Sequence, residues 1–125
     1  MSANEDTAGK YIGRAFIYGG ETTVKVTGNG VGGRNMELAL AASLYLEGRD
    51  NVAIFSFGSD GTDGPTDAAG GYVDASTVEK LGIESIRSAL SDNDSYSELK
   101  NADGLIVTGP TNTNLNDVSV VLLKN

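Results

Sequence analysis

The sequence predicts an α/β domain, a small mixed sheet with helices packed on it. Three observations carry that reading. Short apolar runs of strand length alternate with helical stretches along the whole chain. Polar, glycine-rich loops separate them. The 125 residues fit one domain, and 39% hydrophobic residues with 3 Phe, 5 Tyr and no Trp give an aliphatic core.

Residues 14–18 (Arg-Ala-Phe-Ile-Tyr) and 22–27 (Thr-Thr-Val-Lys-Val-Thr) read as two strands, and Gly19-Gly20 between them suits a hairpin turn. Residues 28–33 form a loop of four glycines, Asn29 and Val31. Residues 35–47 read as a helix that is apolar on most of its surface and stops at Gly48. The continuous run 52–57 (Val-Ala-Ile-Phe-Ser-Phe) reads as a strand buried on both faces, as in a parallel sheet. A Gly/Asp/Thr loop covers 58–71, with Asp67 read as a cap before Ala68-Ala69. Asp74 caps a helix over 75–81, and Ile83, Ile86 and Leu90 mark an amphipathic helix. Ser95 and Glu98 have capping-box spacing before a short helix. Residues 105–107 and 118–123 are the last strands, joined by the polar loop 108–117. Residues 1–13 are unlike the rest and are expected to be a flexible stub or the remnant of an inter-domain helix. Residues 14–125 form the domain.

Composition narrows the chemistry. Nine basic against 17 acidic residues give −8, and the basic residues are scattered singly, which excludes nucleic acid and anionic membrane as expected partners. Cys and His are both absent, removing disulfides, thiolate or imidazole metal sites and any Ser-His-Asp triad. No apolar run reaches the roughly 18 residues of a membrane span, and MSANEDTAGK lacks signal-peptide order. The expected location is cytoplasmic.

Ligands of α/β sheets gather where strands end, and three polar loops follow strands here. In the first, Gly28, Gly30 and Gly33 fit G-x-G-x-x-G. The dinucleotide version needs an acid at the end of the next strand, and Asp50 comes too early and Asp60 too late. The favoured reading is an anion site of bare backbone N–H groups at a helix N-terminus, with the Arg34 guanidinium as a fork for carboxylate or phosphate. Gly30, Gly32, Gly33 and Asn35 join it as candidate binding residues. In the second loop, Asp60 and Asp63 are candidate metal ligands, since Mg²⁺ takes one or two carboxylates plus substrate phosphates. Thr62 is a candidate substrate contact. In the third, Asn114, Asn116 and Asp117 are weaker candidates, because such residues also fold turns. No Walker-type phosphate loop is present, and no self-contained nucleophile and base.

Four motifs occur in order: Gly19-Gly-Glu-Thr-Thr-Val-x-Val, Gly30-x-Gly-Gly-Arg-Asn-x-Glu-Leu-Ala-Leu-Ala, Gly58-x-Asp-Gly-Thr-Asp-Gly-Pro-Thr-Asp-Ala-Ala-Gly and Thr108-Gly-Pro-Thr-x-Thr-Asn-x-Asn-Asp. This set resembles the C-terminal MOFRL domain of the class II glycerate 2-kinases, a family formerly labelled hydroxypyruvate reductases. The resemblance spans nearly all of residues 14–123. It implies an enzyme that moves the γ-phosphoryl group of ATP to the 2-hydroxyl of glycerate with Mg²⁺. It also implies an active site shared with an N-terminal Rossmann-like domain, in the same or a separate chain, that carries a catalytic lysine. Arg34 corresponds to the active-site Arg of the GGRN motif. Lys10 and Lys25 match no catalytic lysine motif. Phosphoryl transfer needs positioning and positive charge, which makes Arg34 and Asp60 the expected catalytic residues, with Thr22 and Thr23 expected to add hydrogen bonds at the same rim. This sequence lacks the Rossmann-like domain, so an excised domain or half of a split enzyme is expected, inactive alone. Apolar surface left uncovered makes a homodimer a further expectation. The alternatives are a stand-alone small-molecule binding or regulatory module and, after it, a nicotinamide-dependent hydroxypyruvate reductase.

Overall fold

A computed structural model describes residues 13–20, 24, 26–113 and 116–124. Five strands, β1 (Gly13–Gly20), β2 (Val52–Gly58), β3 (Gly70–Asp74), β4 (Leu105–Ile106) and β5 (Asp117–Lys124), form one sheet in the order β1-β5-β2-β3-β4. Four helices, α1 (Arg34–Ser43), α2 (Ala75–Leu81), α3 (Ile83–Ser91) and α4 (Ser95–Asn101), pack against it. The layered α/β class is the one expected from the sequence.

Every strand pairing is antiparallel. The apolar run of β2 suggested a parallel neighbourhood instead. Its two faces are both apolar for separate reasons. Val52 and Ile54 pack onto the helix-side core. Phe55 and Phe57 point to the other face, where Phe55 stacks on Phe57 at 6.2 Å and on Tyr72 at 6.5 Å. Large rings that cover one another leave a run that looks buried twice over.

The expected hairpin after β1 is also corrected. β1 pairs along its length with β5, Ile17 opposite Val120, about a hundred residues away in the chain. Residues 24, 26 and 27 are not strand, and the remainder of that predicted strand lies outside the described residues.

α1 lies over β2 and β3 and buries Asn35, Met36, Ala39, Leu40 and Ser43, a stripe at helical spacing. Of these, Met36, Ala39 and Leu40 join Val73, Val78, Ile86 and Leu99 in the core. Truncating Leu99, fully buried, to Ala costs about 2–5 kcal/mol by the usual range for such cavities. The helix stops at Ser43, short of the expected Glu47. The chain tightens there into i→i−3 turns, Tyr45 N to Ala42 O (3.0 Å) and Leu46 N to Ser43 O (3.0 Å), which bury Leu46.

Asp74 caps α2 as expected, accepting from Ser76 N (2.9 Å) while Thr77 Oγ1 accepts from Asp74 N (3.1 Å). α4 differs: its N-cap residue is Asp94, and Glu98 accepts from Ser85 Oγ (2.6 Å) rather than closing a box on Ser95. Asp67 caps no helix. Ala68 and Ala69 run into β3, and Asp67 accepts from the Tyr96 hydroxyl (2.8 Å). Among the described residues no helix is long and apolar enough to cross a membrane.

Candidate anion-binding rim

The sheet brings Gly20, Asp117 and Gly58 into register at one end. α1 begins at that end, because Asp63, five residues beyond β2, receives its first turn. Asp63 accepts from Asn35 N (3.0 Å), Asn35 Nδ2 (3.2 Å) and Met36 N (2.8 Å) and is 2% exposed. The positive end of a helix that sequence reasoning reserved for an outside anion is thus filled by the chain's own carboxylate. Burial pushes the Asp63 carboxyl above its ordinary pKa, against the pull of the Asn35 and Met36 donors and of Arg34. Both oxygens already serve α1, so Asp63 is a helix cap here and not the expected metal ligand.

Asn35 is corrected for the same reason. One residue along a helix turns the side chain about 100°. Arg34 is half-exposed, whereas Asn35 is buried and bridges Asp63 to Ser56, whose Oγ donates to Asn35 Oδ1 (2.7 Å) and meets Ser119 Oγ at 2.8 Å.

The glycine-rich loop is bare because protein presses on it. A Cβ on Gly28 would collide with the Asp92 backbone, one on Gly30 with Asp94, one on Gly32 with Ser95 Oγ, and one on Gly33 with Asp63. Its amides are largely spent on the same corner between α3 and α4. Gly28 N donates to Asn93 Oδ1 (2.9 Å), Asn29 N to Asp92 Oδ1 (2.9 Å), Gly30 N to Asp92 O (2.8 Å) and Val31 N to Asp94 Oδ1 (3.0 Å). The Gly28 and Gly30 amides, which a dinucleotide pyrophosphate would need, are therefore already bonded within the chain. Of the amides proposed for the rim, Gly30 is committed. Gly32 and Gly33 donate to nothing among the described residues. Ser95 Oγ, buried against Gly32, likewise lacks a partner among them.

The three loops do converge. Arg34 Nε donates to Asp117 Oδ2 and Nη2 to Asp117 Oδ1 (3.0 Å), a two-point pairing of the kind a guanidinium makes with a carboxylate. The Arg34 side chain is 42% exposed and that of Asp117 only 6%. The guanidinium is thus pinned to an internal carboxylate, yet it stays at the surface and joins the first loop to the third. The second and third loops are stitched directly. Ser59 N donates to Asn116 O (3.1 Å), Asn116 N to Ser59 Oγ (3.1 Å), and the Thr111 and Thr113 hydroxyls to Ser59 O (2.5 and 2.8 Å). Gly61 has φ +88° and passes so near Gly109 that a side chain would strike its carbonyl.

Asp60 is half-buried in this rim. Its Oδ1 accepts from Thr62 N and Thr62 Oγ1, both at 3.0 Å, and these bonds, with smaller help from Arg34, hold its pKa below the ordinary value. Thr62 is therefore engaged with Asp60, and Asn116 with Ser59. Among the described residues no cluster of three acids is arranged to hold a metal. Asp60 alone fits Mg²⁺ in the form that brings its own phosphate ligands. Thr22, Thr23 and Asn114 lie outside the described residues.

Sequence reasoning missed Glu37, Asp92, Asn93 and Ser59. The one available signal is Asp92-Asn93-Asp94 itself, three turn-formers between two helices, with Asn93 in the left-handed region at φ 55°.

Comparison with known proteins matches this chain to the MOFRL family over residues 14–117. The D-glycerate 2-kinase of Thermotoga maritima is 55% identical over 111 residues, covering 87% of this chain and 27% of that protein. The glycerate 2-kinase of Pyrococcus horikoshii is 45% identical over 114 residues, covering 88% of this chain and 26% of its own length. The crystal structure of glycerate kinase from Thermotoga maritima superposes with a TM-score of 0.84 at 54% identity, over 87% of this chain and 27% of that one. The chain spans about a quarter of the length of these relatives.

Proposed function

This chain belongs to the MOFRL family, and on that premise we propose that it is the MOFRL portion of an ATP-dependent glycerate 2-kinase. It supplies an acid-binding rim to an active site completed by a Rossmann-like domain. The observation that carries the reading is the Arg34 guanidinium, half-exposed where three loops meet and oriented by buried Asp117. In a chain of net charge −8, this guanidinium brings positive charge to the rim, shared with the Asp117 carboxylate it pairs with, and its half-exposed side is where an anionic ligand would meet it.

Phosphoryl transfer asks little covalent chemistry of a protein. It asks for in-line positioning and positive charge near the moving phosphoryl oxygens. Arg34 binds the glycerate carboxylate or the transferring phosphoryl group, and Asp117 fixes the plane of its fork. The Gly32 and Gly33 amides lie directly before it in the chain and add neutral donors. Asp60, ionised at any physiological pH, holds the nucleotide's Mg²⁺ or orients the attacking hydroxyl. When bound, Mg²⁺ neutralises phosphate charge; this chain's own share is the carboxylate that meets it. The catalytic lysine and the ATP-binding surface are assigned to the other domain.

The test replaces the MOFRL portion of the Thermotoga maritima kinase with residues 14–125. ADP formation is expected to depend on both ATP and glycerate in the hybrid and to be absent in this chain alone. R34K in the hybrid is expected to lower kcat/KM well over tenfold, because Lys lacks the planar fork. Near-normal kinetics in R34K refute the role of Arg34. Saturable glycerate binding by the chain alone, with a folded but inactive hybrid, transfers support to a stand-alone binding module.

A further inference from the structure

We propose that Asn93 is a positioning residue for the Gly32–Arg34 rim, a proposal that rests on the reading of this rim as an acid-binding site. Asn93 is buried in the corner between α3 and α4, and its left-handed backbone turns the side chain under the glycine loop. Its Oδ1 accepts from Thr27 N (2.6 Å) and Gly28 N (2.9 Å). Its Nδ2 donates to both carboxylate oxygens of Glu37, at 2.9 and 3.0 Å. Glu37 lies in the first turn of α1, three residues after Arg34.

One buried amide therefore grips both ends of the segment that presents the rim. The loop is fastened at Gly28 and the helix at Glu37, and between them lie Gly32, Gly33 and Arg34. The neighbours of Asn93 set the register. Asp92 and Asp94 take the amides of Asn29, Gly30 and Val31, while Tyr96 N donates to Val31 O (2.9 Å). The glycines permit this approach and supply no stiffness of their own. Without the bracket the loop keeps weaker, more exposed bonds, and the Gly32–Gly33 peptides and the Arg34 fork lose their fixed relation. A misplacement of about 1 Å is enough to cost up to a hundredfold in an oriented site.

The donor–acceptor pattern permits a swap. N93D keeps an acceptor for Thr27 and Gly28 but sets a second carboxylate against Glu37. E37Q in the same chain returns a donor, from Gln to Asp, so the double variant rebuilds the bracket in reverse. The experiment titrates the 125-residue chain with inorganic phosphate, follows the Arg34 Nε–H resonance for affinity, and measures hydrogen exchange at Gly28. N93D is expected to weaken phosphate about tenfold and to speed Gly28 exchange. The double variant N93D/E37Q is expected to return within about threefold of the parent affinity. E37A, a milder break at the other end, is expected to weaken phosphate at least threefold and serves if N93D does not fold. V78A, a core truncation outside the loop and its bracket, is expected to lower Tm while leaving phosphate affinity unchanged. Parent-like affinity in folded N93D or E37A, no recovery in the double variant, or equal weakening in V78A overturns the positioning role. If the parent chain itself shows no phosphate-dependent change at Arg34, the reading of the rim has failed, and the role of Asn93 falls with it.

Discussion

Asp60 and Asp63 stand three residues apart in one loop and end in opposite situations. Asp63 is drawn under α1, gives its oxygens to Asn35 and Met36, and has its carboxyl pushed up by burial. Asp60 stays at the half-exposed surface, bonded to its neighbour Thr62, and is held below the ordinary value. The same contrast separates Asn35 from Arg34: one turns in to Ser56 and the other out to Asp117. The rim thus has an internal half that builds the helix start and an external half able to meet a ligand. A motif in which every residue looks chemical divides into scaffold and surface only when the side chains are placed.

The largest expected effect tests that division by stability. D63A leaves two buried amides and the Asn35 side chain without their acceptor, and is expected to cost about 3 kcal/mol in denaturant unfolding. D60A, which removes only the acceptor of Thr62, is expected to move the unfolding midpoint far less than D63A. Equal effects erase the contrast.

Titration sharpens it. Carboxyl NMR is expected to place Asp63 above the ordinary value of 3.8 and Asp60 below it. The signs for stability are opposite. Asp63's folded pKa is raised, so its contribution falls as pH rises from the ordinary value through the raised one. Asp60's is lowered, so its contribution is present above the ordinary value and is lost as pH falls through the lowered one. A midpoint for Asp63 below that of Asp60 contradicts the placement.

The smallest effect concerns Ser95, whose buried hydroxyl has no partner among the described residues. S95A is expected to be neutral or stabilising by up to about 1 kcal/mol in thermal unfolding. A clear loss of stability points to a bond that this geometry does not show.

Much of the architecture was legible because its signals are local. Asp74 announces α2 by capping it, and Ile83, Ile86 and Leu90 trace α3 at helical spacing. The pairing of β1 was not legible, since the partner of Ile17 is Val120 and nothing near Ile17 records it. The glycines of the first loop read as a bare chamber for an anion, but they mark close approach instead. What approaches is the Asp92–Ser95 corner, a neighbour supplied by the fold rather than by a ligand. The meeting of Arg34 with the third loop rests on the Arg34–Asp117 pairing across 83 residues, which no local pattern records. The role of Asp63 was not legible either, because a carboxylate that caps a helix 28 residues upstream leaves no spacing rule to read.

The most direct measurement of the central claim is a glycerate titration of the isotopically labelled chain, read at every arginine side chain and backbone amide. The account requires saturable shifts at Arg34 Nε–H and at the Gly32 and Gly33 amides, with Gly28, Gly30 and the Asp63-bonded Met36 amide unmoved. Shifts centred on Gly28 and Gly30, or none at Arg34 up to saturation elsewhere, contradict it.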